Sequence, residues 1–217
     1  MRTSQILKSQ IKVTILWKGE VFRAEDLPAG NFLKGGVARE ALMAHARGDL
    51  EVEISPRDLD LWVGMGGGVV EDWIEEGEDW RDLIPYVGNL PQEDWGEFLL
   101  EMRAVDVDIN MALISNEGLL YHEEALQAIK AGEVRRVDDH LPDKRGIRAH
   151  FFAMRYNLIA IDAPLPQEHQ YLSAVTDKAL ELGLAQEWAE YLSSQRRWRW
   201  EEQLDQDDEI EVILVEE

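Results

Sequence analysis

The segment Pro164–Leu192, PLPQEHQYLSAVTDKALELGLAQEWAEYL, decides how the rest of the chain is read. Tyr171, Val175, Ala179 and Leu182 recur at three- and four-residue steps, Gly183 interrupts the series, and Leu184, Trp188, Tyr191 and Leu192 resume it. This spacing predicts two helices sharing one apolar seam, a helical hairpin within residues 167–200 against which a sheet packs.

Upstream, the pattern changes to a period of two. Ile11, Val13, Ile15 and Trp17 alternate with Lys12, Thr14 and Leu16, which predicts a strand over 11–17 with a partner over 20–23 across the Lys18-Gly19 turn. Val37, Ala41, Leu42 and Ala44 fit a helix ending near Gly48. Residues 50–63 read as strand broken by a turn at SPRD, and in DVDINMALI (106–114) Val107, Ile109, Met111 and Leu113 point inward while Asp106, Asp108 and Asn110 point outward. Leu119, Glu123, Leu126 and Ile129 mark a helix over 117–131 closed by Gly132, and GIRAHFFAMRY reads as a strand that continues into LIAI, together 146–161. The final strand is EIEVILV, 209–215. Its acids, set against Lys8, Lys12 and Lys18 near the first strand, predict that it pairs with 11–17. The fold class expected is α+β: one domain over 1–217, a mixed β-sheet with packed helices and the C-terminal hairpin, and residues 64–105 as an acidic, Trp-rich helical insertion.

Composition narrows the function. At 217 residues and 45% hydrophobic the chain can bury a substantial core, and without cysteine it can form neither a disulfide nor a thiolate metal site. Twenty-two basic against 44 acidic residues give a net charge of −22, which disfavours direct binding to a nucleic-acid backbone or an anionic membrane. The acidity is concentrated: residues 51–105 hold 15 acids against 3 bases, and residues 201–217 hold 9 acids and no base. Trp73, Glu75, Glu76, Glu78, Asp79 and Trp80 make the first block a candidate face for a basic protein partner, since aromatics anchor interfaces and acids steer encounter. A solvated acidic surface, including that of a halophilic protein, has the same composition. The first 20 residues hold no apolar run long enough for a signal peptide or a spanning helix, so a cytoplasmic location is expected.

The usual chemical signatures are missing. Gly64, Gly66, Gly67 and Gly68 do not make GxGxxG and no GK[ST] follows; the five histidines show no HExxH; no GxSxG occurs. Neither a cofactor nor a metal is expected, and Asp106 with Asp108 would give a hard cation only two carboxylates. Asp138, Asp139 and His140 read as a solvated loop, and the run Arg196, Arg197, Trp198, Arg199, Trp200 as a complement to a helix C-terminus. Glu123 and Glu124, on an amphipathic helix, are the candidates for general acid/base work.

Ala149–Tyr156 (AHFFAMRY), Pro166, Tyr171, Leu172, Ala179, Glu181, Gly183, Leu184, Glu187, Trp188 and Leu192, with weaker echoes in Lys34–Ala38 (KGGVA) and Glu53–Asp60 (EISPRDLD), resemble the C-terminal part of the gamma-glutamylcyclotransferase family. The resemblance implies a strand, a proline-marked turn and two helices in that order. It also implies release of 5-oxoproline from a gamma-glutamyl amine, with Glu124, and Glu123 beside it, as the acid/base. Where the family places a Tyr-Gly-Ser-type substrate loop the chain has Trp17-Lys18-Gly19-Glu20, and Tyr86, Gly88 and Asn89 are only a later echo of it. A member lacking that loop would be altered or catalytically inactive. The alternative expectation is a non-enzymatic acidic protein, of DNA-mimic or inhibitor type, that blocks a basic partner.

Overall fold

The computed structural model describes residues 5–57, 59–62, 95–101, 105–137, 142–163 and 169–195. It is an α+β fold built on two larger sheets and one strand pair. Strands β1 (Ile6–Ser9), β4 (Phe32–Lys34), β6 (Asp60–Trp62), β7 (Ala112–Ser115) and β8 (Gly118–His122) form an antiparallel sheet in the order β1-β8-β7-β4-β6. Strands β2 (Lys12–Trp17), β3 (Glu20–Arg23) and β5 (Glu51–Ile54) form a second, with β2 in the centre, antiparallel to β3 and parallel to β5. The third is a parallel pair, β9 (Glu133–Arg135) and β10 (Ile159–Ile161).

The helices are α1 (Gly35–Arg47), α2 (Trp95–Glu101), α3 (Glu123–Ala131), α4 (Pro142–Tyr156), α5 (His169–Glu181) and α6 over residues 185–195. Helix α1 is the crossover between β2 and β5, and α4 that between β9 and β10, as parallel pairing requires. The main core lies between α1 and the sheets: Ile15, Leu33, Val37, Leu42, Ile114 and Leu119 are almost fully buried in it. A second core gathers Val107, Ile109, Val134, Ile147, Phe151 and Trp188 where α4 meets the hairpin.

Several sequence expectations hold. Ile11, Val13, Ile15 and Trp17 are buried, and Lys18 and Gly19, at φ 53° and 85°, make the two-residue turn into β3, a left-handed geometry matched to the twist of a hairpin. Helix α1 ends at Gly48, and α5 and α6 meet at Gly183.

Others are corrected. Residues 146–156 are helix, not strand: apart from Ile147 the stretch has no β-branched residue, and its Ala, Phe, Met and Arg favour a helix once both flanks bury apolar side chains. The strand that the gamma-glutamylcyclotransferase resemblance requires at AHFFAMRY is therefore a helix, and the hairpin packs chiefly on that helix rather than on a sheet. Residues 117–131 are not one helix. Gly118, at φ 115°, turns the chain, residues 119–122 are buried on both faces as strand, and α3 begins only at Glu123. The strand expected over 106–114 is displaced to 112–115, and residues 108–110 form a 3-10 turn in which Asp108 and Asn110 are buried rather than outward. Residues 50–63 divide between two sheets as β5 and β6. Residues 209–215, the final strand expected to pair with 11–17, lie outside the described residues; β2 is bonded to β3 through Thr14–Trp17 and to β5 through Lys12–Ile15. Residues 64–94 also lie outside the described residues; of the expected helical insertion, α2 is the described part.

Candidate functional site

Strand β8 passes directly into α3, with His122 still extended at φ −69°, ψ 136° and no side chain capping the helix. Glu123 and Glu124 occupy its first turn, where unsatisfied N–H groups favour negative charge. The two glutamates then diverge. Glu123 Oε1 accepts a hydrogen bond from Gln127 Nε2 at 2.9 Å along the helix surface. Glu124 is half-buried and lines a cleft of about 270 Å³ together with Asp108, Gln127, Glu133, Arg135 and Arg136.

Asp108 is the least expected member. It is 6% exposed, and its Oδ1 accepts hydrogen bonds from the backbone N–H of Ile109 at 2.8 Å and of Arg135 at 3.0 Å, so one carboxylate ties the 3-10 turn to β9. Burial pushes its pKa up to about 6; the two N–H donors and the Arg135 charge act in the opposite direction, and the Glu124 charge adds to the rise. Two guanidinium groups bring positive charge to the rim. Arg135 pairs with Glu133 at 2.5 Å, and Arg136 Nε donates to the Asp162 carbonyl at 2.9 Å. The cleft thus joins a carboxyl group whose pKa burial raises to about 6 with a second carboxyl group at a helix N-terminus.

That raised pKa has a consequence for stability. Asp108 binds its proton more tightly in the fold, at about 6, than at its ordinary value of 3.8, so the native state holds more protons between those values and stability falls as pH rises through them. Above that window the ionised group costs the fold up to about 3 kcal/mol. Asp108→Asn keeps an acceptor oxygen for both N–H groups and carries no charge. The variant should match the parent near pH 4 and exceed it near pH 8 in chemical denaturation, by about 1–3 kcal/mol. A variant no more stable than the parent near pH 8 would overturn the cost assigned to the ionised group.

Of the residues singled out in the sequence, Glu123 and Glu124 are adjacent at the cleft but only Glu124 lines it. Trp73, Glu75, Glu76, Glu78, Asp79 and Trp80 lie outside the described residues, as do Asp138, Asp139 and His140. Asp106 and Asp108 do not share a cation face: Asp106 Oδ1 accepts from Asn110 Nδ2 at 2.7 Å, while Asp108 is engaged with backbone. Sequence reasoning missed Asp108 because alternation placed it on the solvent side. The signal against that reading was Asp106, Asp108 and Asn110 in one short run, residue types that favour local backbone bonding over a strand. Among the described residues no group of three or more His, Asp or Glu is placed to hold a metal ion, and no helix is long and apolar enough to cross a membrane. No protein-family model, curated protein or solved structure matches the chain.

Proposed function

We propose that the Glu124 cleft is a proton-transfer site for a small substrate bearing a carboxylate, and that this substrate is a gamma-glutamyl amine. The observation that supports this reading is the presence in one small cleft of Glu124 and the buried carboxyl group of Asp108, with two arginines in the same lining. In the reaction the α-amine nitrogen attacks the γ-carbonyl carbon, the new C–N bond closes the five-membered lactam, and the original amide C–N bond breaks. Glu124 accepts the proton lost by the attacking amine and delivers it to the departing nitrogen, so no co-reactant is consumed. The positive charge of Arg135 and Arg136 suits the substrate's α-carboxylate. Purified protein should release 5-oxoproline from at least one member of a panel of gamma-glutamyl amines, measured by chromatography; no release across the panel overturns the proposal.

The acidic composition of residues 51–105 favours a second reading, capture of a basic protein by the Trp73–Trp80 segment. Reversing Glu75, Glu76, Glu78 and Asp79 to Lys should then abolish retention of basic proteins on the immobilised chain and flatten its salt dependence. Retention unchanged by the reversal would exclude that segment as the binding face.

A further inference from the structure

A second cleft, of about 440 Å³, opens between α1, the β5–β6 segment, α4 and α5, and shares no lining residue with that of Glu124. Its charge runs against the rest of the molecule. In a chain with twice as many acids as bases, this cleft is lined by Arg39, Arg47, Arg57, Arg148, Arg155 and Lys178. The acids in its lining are Glu40, Glu53 and Asp60. Helix α4 contributes one face of three residues, Arg148, Phe152 and Arg155, at i, i+4 and i+7.

Most of these cations already have a carboxylate. Arg47 pairs with Asp49 at 3.1 Å, Arg57 with Glu181 at 2.8 Å and Arg155 with Glu40 at 3.3 Å. Arg148 Nε stands 2.5 Å from Asp106 Oδ2, a contact of charge rather than an aligned hydrogen bond. Arg39 differs. It is 7% exposed, its Nε donates to the Tyr156 hydroxyl at 2.9 Å, one terminal nitrogen donates to Asn110 Oδ1 at 2.6 Å, and its Cζ lies over the Phe152 ring, 4.3 Å from the centroid. Both hydrogen-bond acceptors are neutral. The nearest carboxylate in that chain of bonds, Glu40, accepts from the Tyr156 hydroxyl at 2.6 Å and is shared with Arg155. Among the described residues no carboxylate forms an ion pair with Arg39. The second terminal nitrogen is on the side of Gly36, whose missing side chain leaves that part of the cleft wall open; a Cβ there would stand 3.8 Å from it.

A guanidinium that is buried, stacked on an aromatic ring and fixed on two edges by neutral acceptors is costly unless an opposite charge reaches its remaining edge. Burial of this kind is otherwise reserved for paired arginines. We propose that the cleft binds a small molecule through an oxyanion, a carboxylate or a phosphate, received by the remaining edge of Arg39 beside Lys178 and the paired arginines of the lining. The volume is that of a metabolite-sized site, and the fork of the guanidinium suits the planar or tetrahedral oxygens of such a group. The inference does not depend on the chemistry assigned to Glu124.

Inorganic phosphate and succinate, titrated separately against the full chain by calorimetry at an ionic strength held constant with sodium chloride, test it. Saturable binding of one of them is expected, and the probe that saturates identifies the head group. Arg39→Met preserves the stacking bulk on Phe152 without the charge and should weaken that binding roughly ten- to hundredfold. Lys178→Glu, at the rim, should weaken it in a protein whose buried network is untouched. No saturable binding of either probe, or equal affinity in a folded Arg39→Met protein, overturns the proposal. Should Arg39→Met fail to fold, unchanged affinity in Lys178→Glu overturns it instead.

Discussion

A Glu124→Gln variant is expected to lose 5-oxoproline release by roughly 10²–10⁴-fold, the range over which a positioned acid or base contributes to a transition state. The substitution keeps the length of the side chain and its place in the first turn of α3, so the loss should fall on kcat with little change in unfolding midpoint. Glu123→Gln is the matched control. Its carboxylate is engaged with Gln127 on the helix surface, and an amide oxygen can accept the same bond, so turnover should be nearly that of the parent. Full activity in Glu124→Gln would remove the residue from the chemistry, and loss confined to Glu123→Gln would transfer the role to its neighbour.

The largest effect on stability is expected from Trp188→Ala. Trp188 is 1% exposed, meets the Phe151 ring edge-on at a centroid distance of 5.8 Å, stacks on Tyr191 at 5.8 Å, and donates from Nε1 to Thr176 Oγ1 at 3.2 Å. It therefore joins α6 to α4 and to α5 at one point. Truncation should cost about 3–5 kcal/mol, as for other buried aromatic side chains. The loss should extend to the contact beside it, where His150 lies 2.9 Å from the Tyr191 hydroxyl and donates through its other nitrogen to the Ala163 carbonyl. Trp188→Phe, which retains the ring contacts and gives up the indole hydrogen bond, should recover most of the difference in urea denaturation. Equal destabilisation by both variants would make the hydrogen bond, not the packing, the dominant contribution.

The parts of the fold that could be read from the sequence are those where one face is buried and the other wet. Strand β2 and helix α1 each show a single period, and the hairpin announces itself through Gly183. The signal fails where an element is buried on all sides. In α4, His150, Phe151, Phe152 and Ala153 are consecutive and all buried, so neither period dominates and propensity has to decide. The same ambiguity hid β8, whose residues 119–122 are all buried. Short strands such as β1, β4 and β9 exist because long-range partners stabilise them, and a window of three or four residues carries too little pattern to announce them. Adjacent acids on an amphipathic helix are visible locally, so Glu123 and Glu124 could be singled out, though not their place in the first turn of α3. Asp108 and Arg39 could not, since what distinguishes them is burial and the nature of their partners, both set by residues 27 to 117 positions away.

The edge strand β1 imposes an order on how the chain can assemble. Ile6–Ser9 are among the first described residues, yet their hydrogen-bond partner is Leu119–His122, more than 100 residues later. During synthesis at about 5–20 residues per second, β1 waits roughly 5–20 s for its partner to be made. Over that interval β2, β3, α1 and β5, which all lie within residues 12–54, can close on one another, and the five-stranded sheet is completed from its far edge last. The first strand of the described fold is thus among the last to settle.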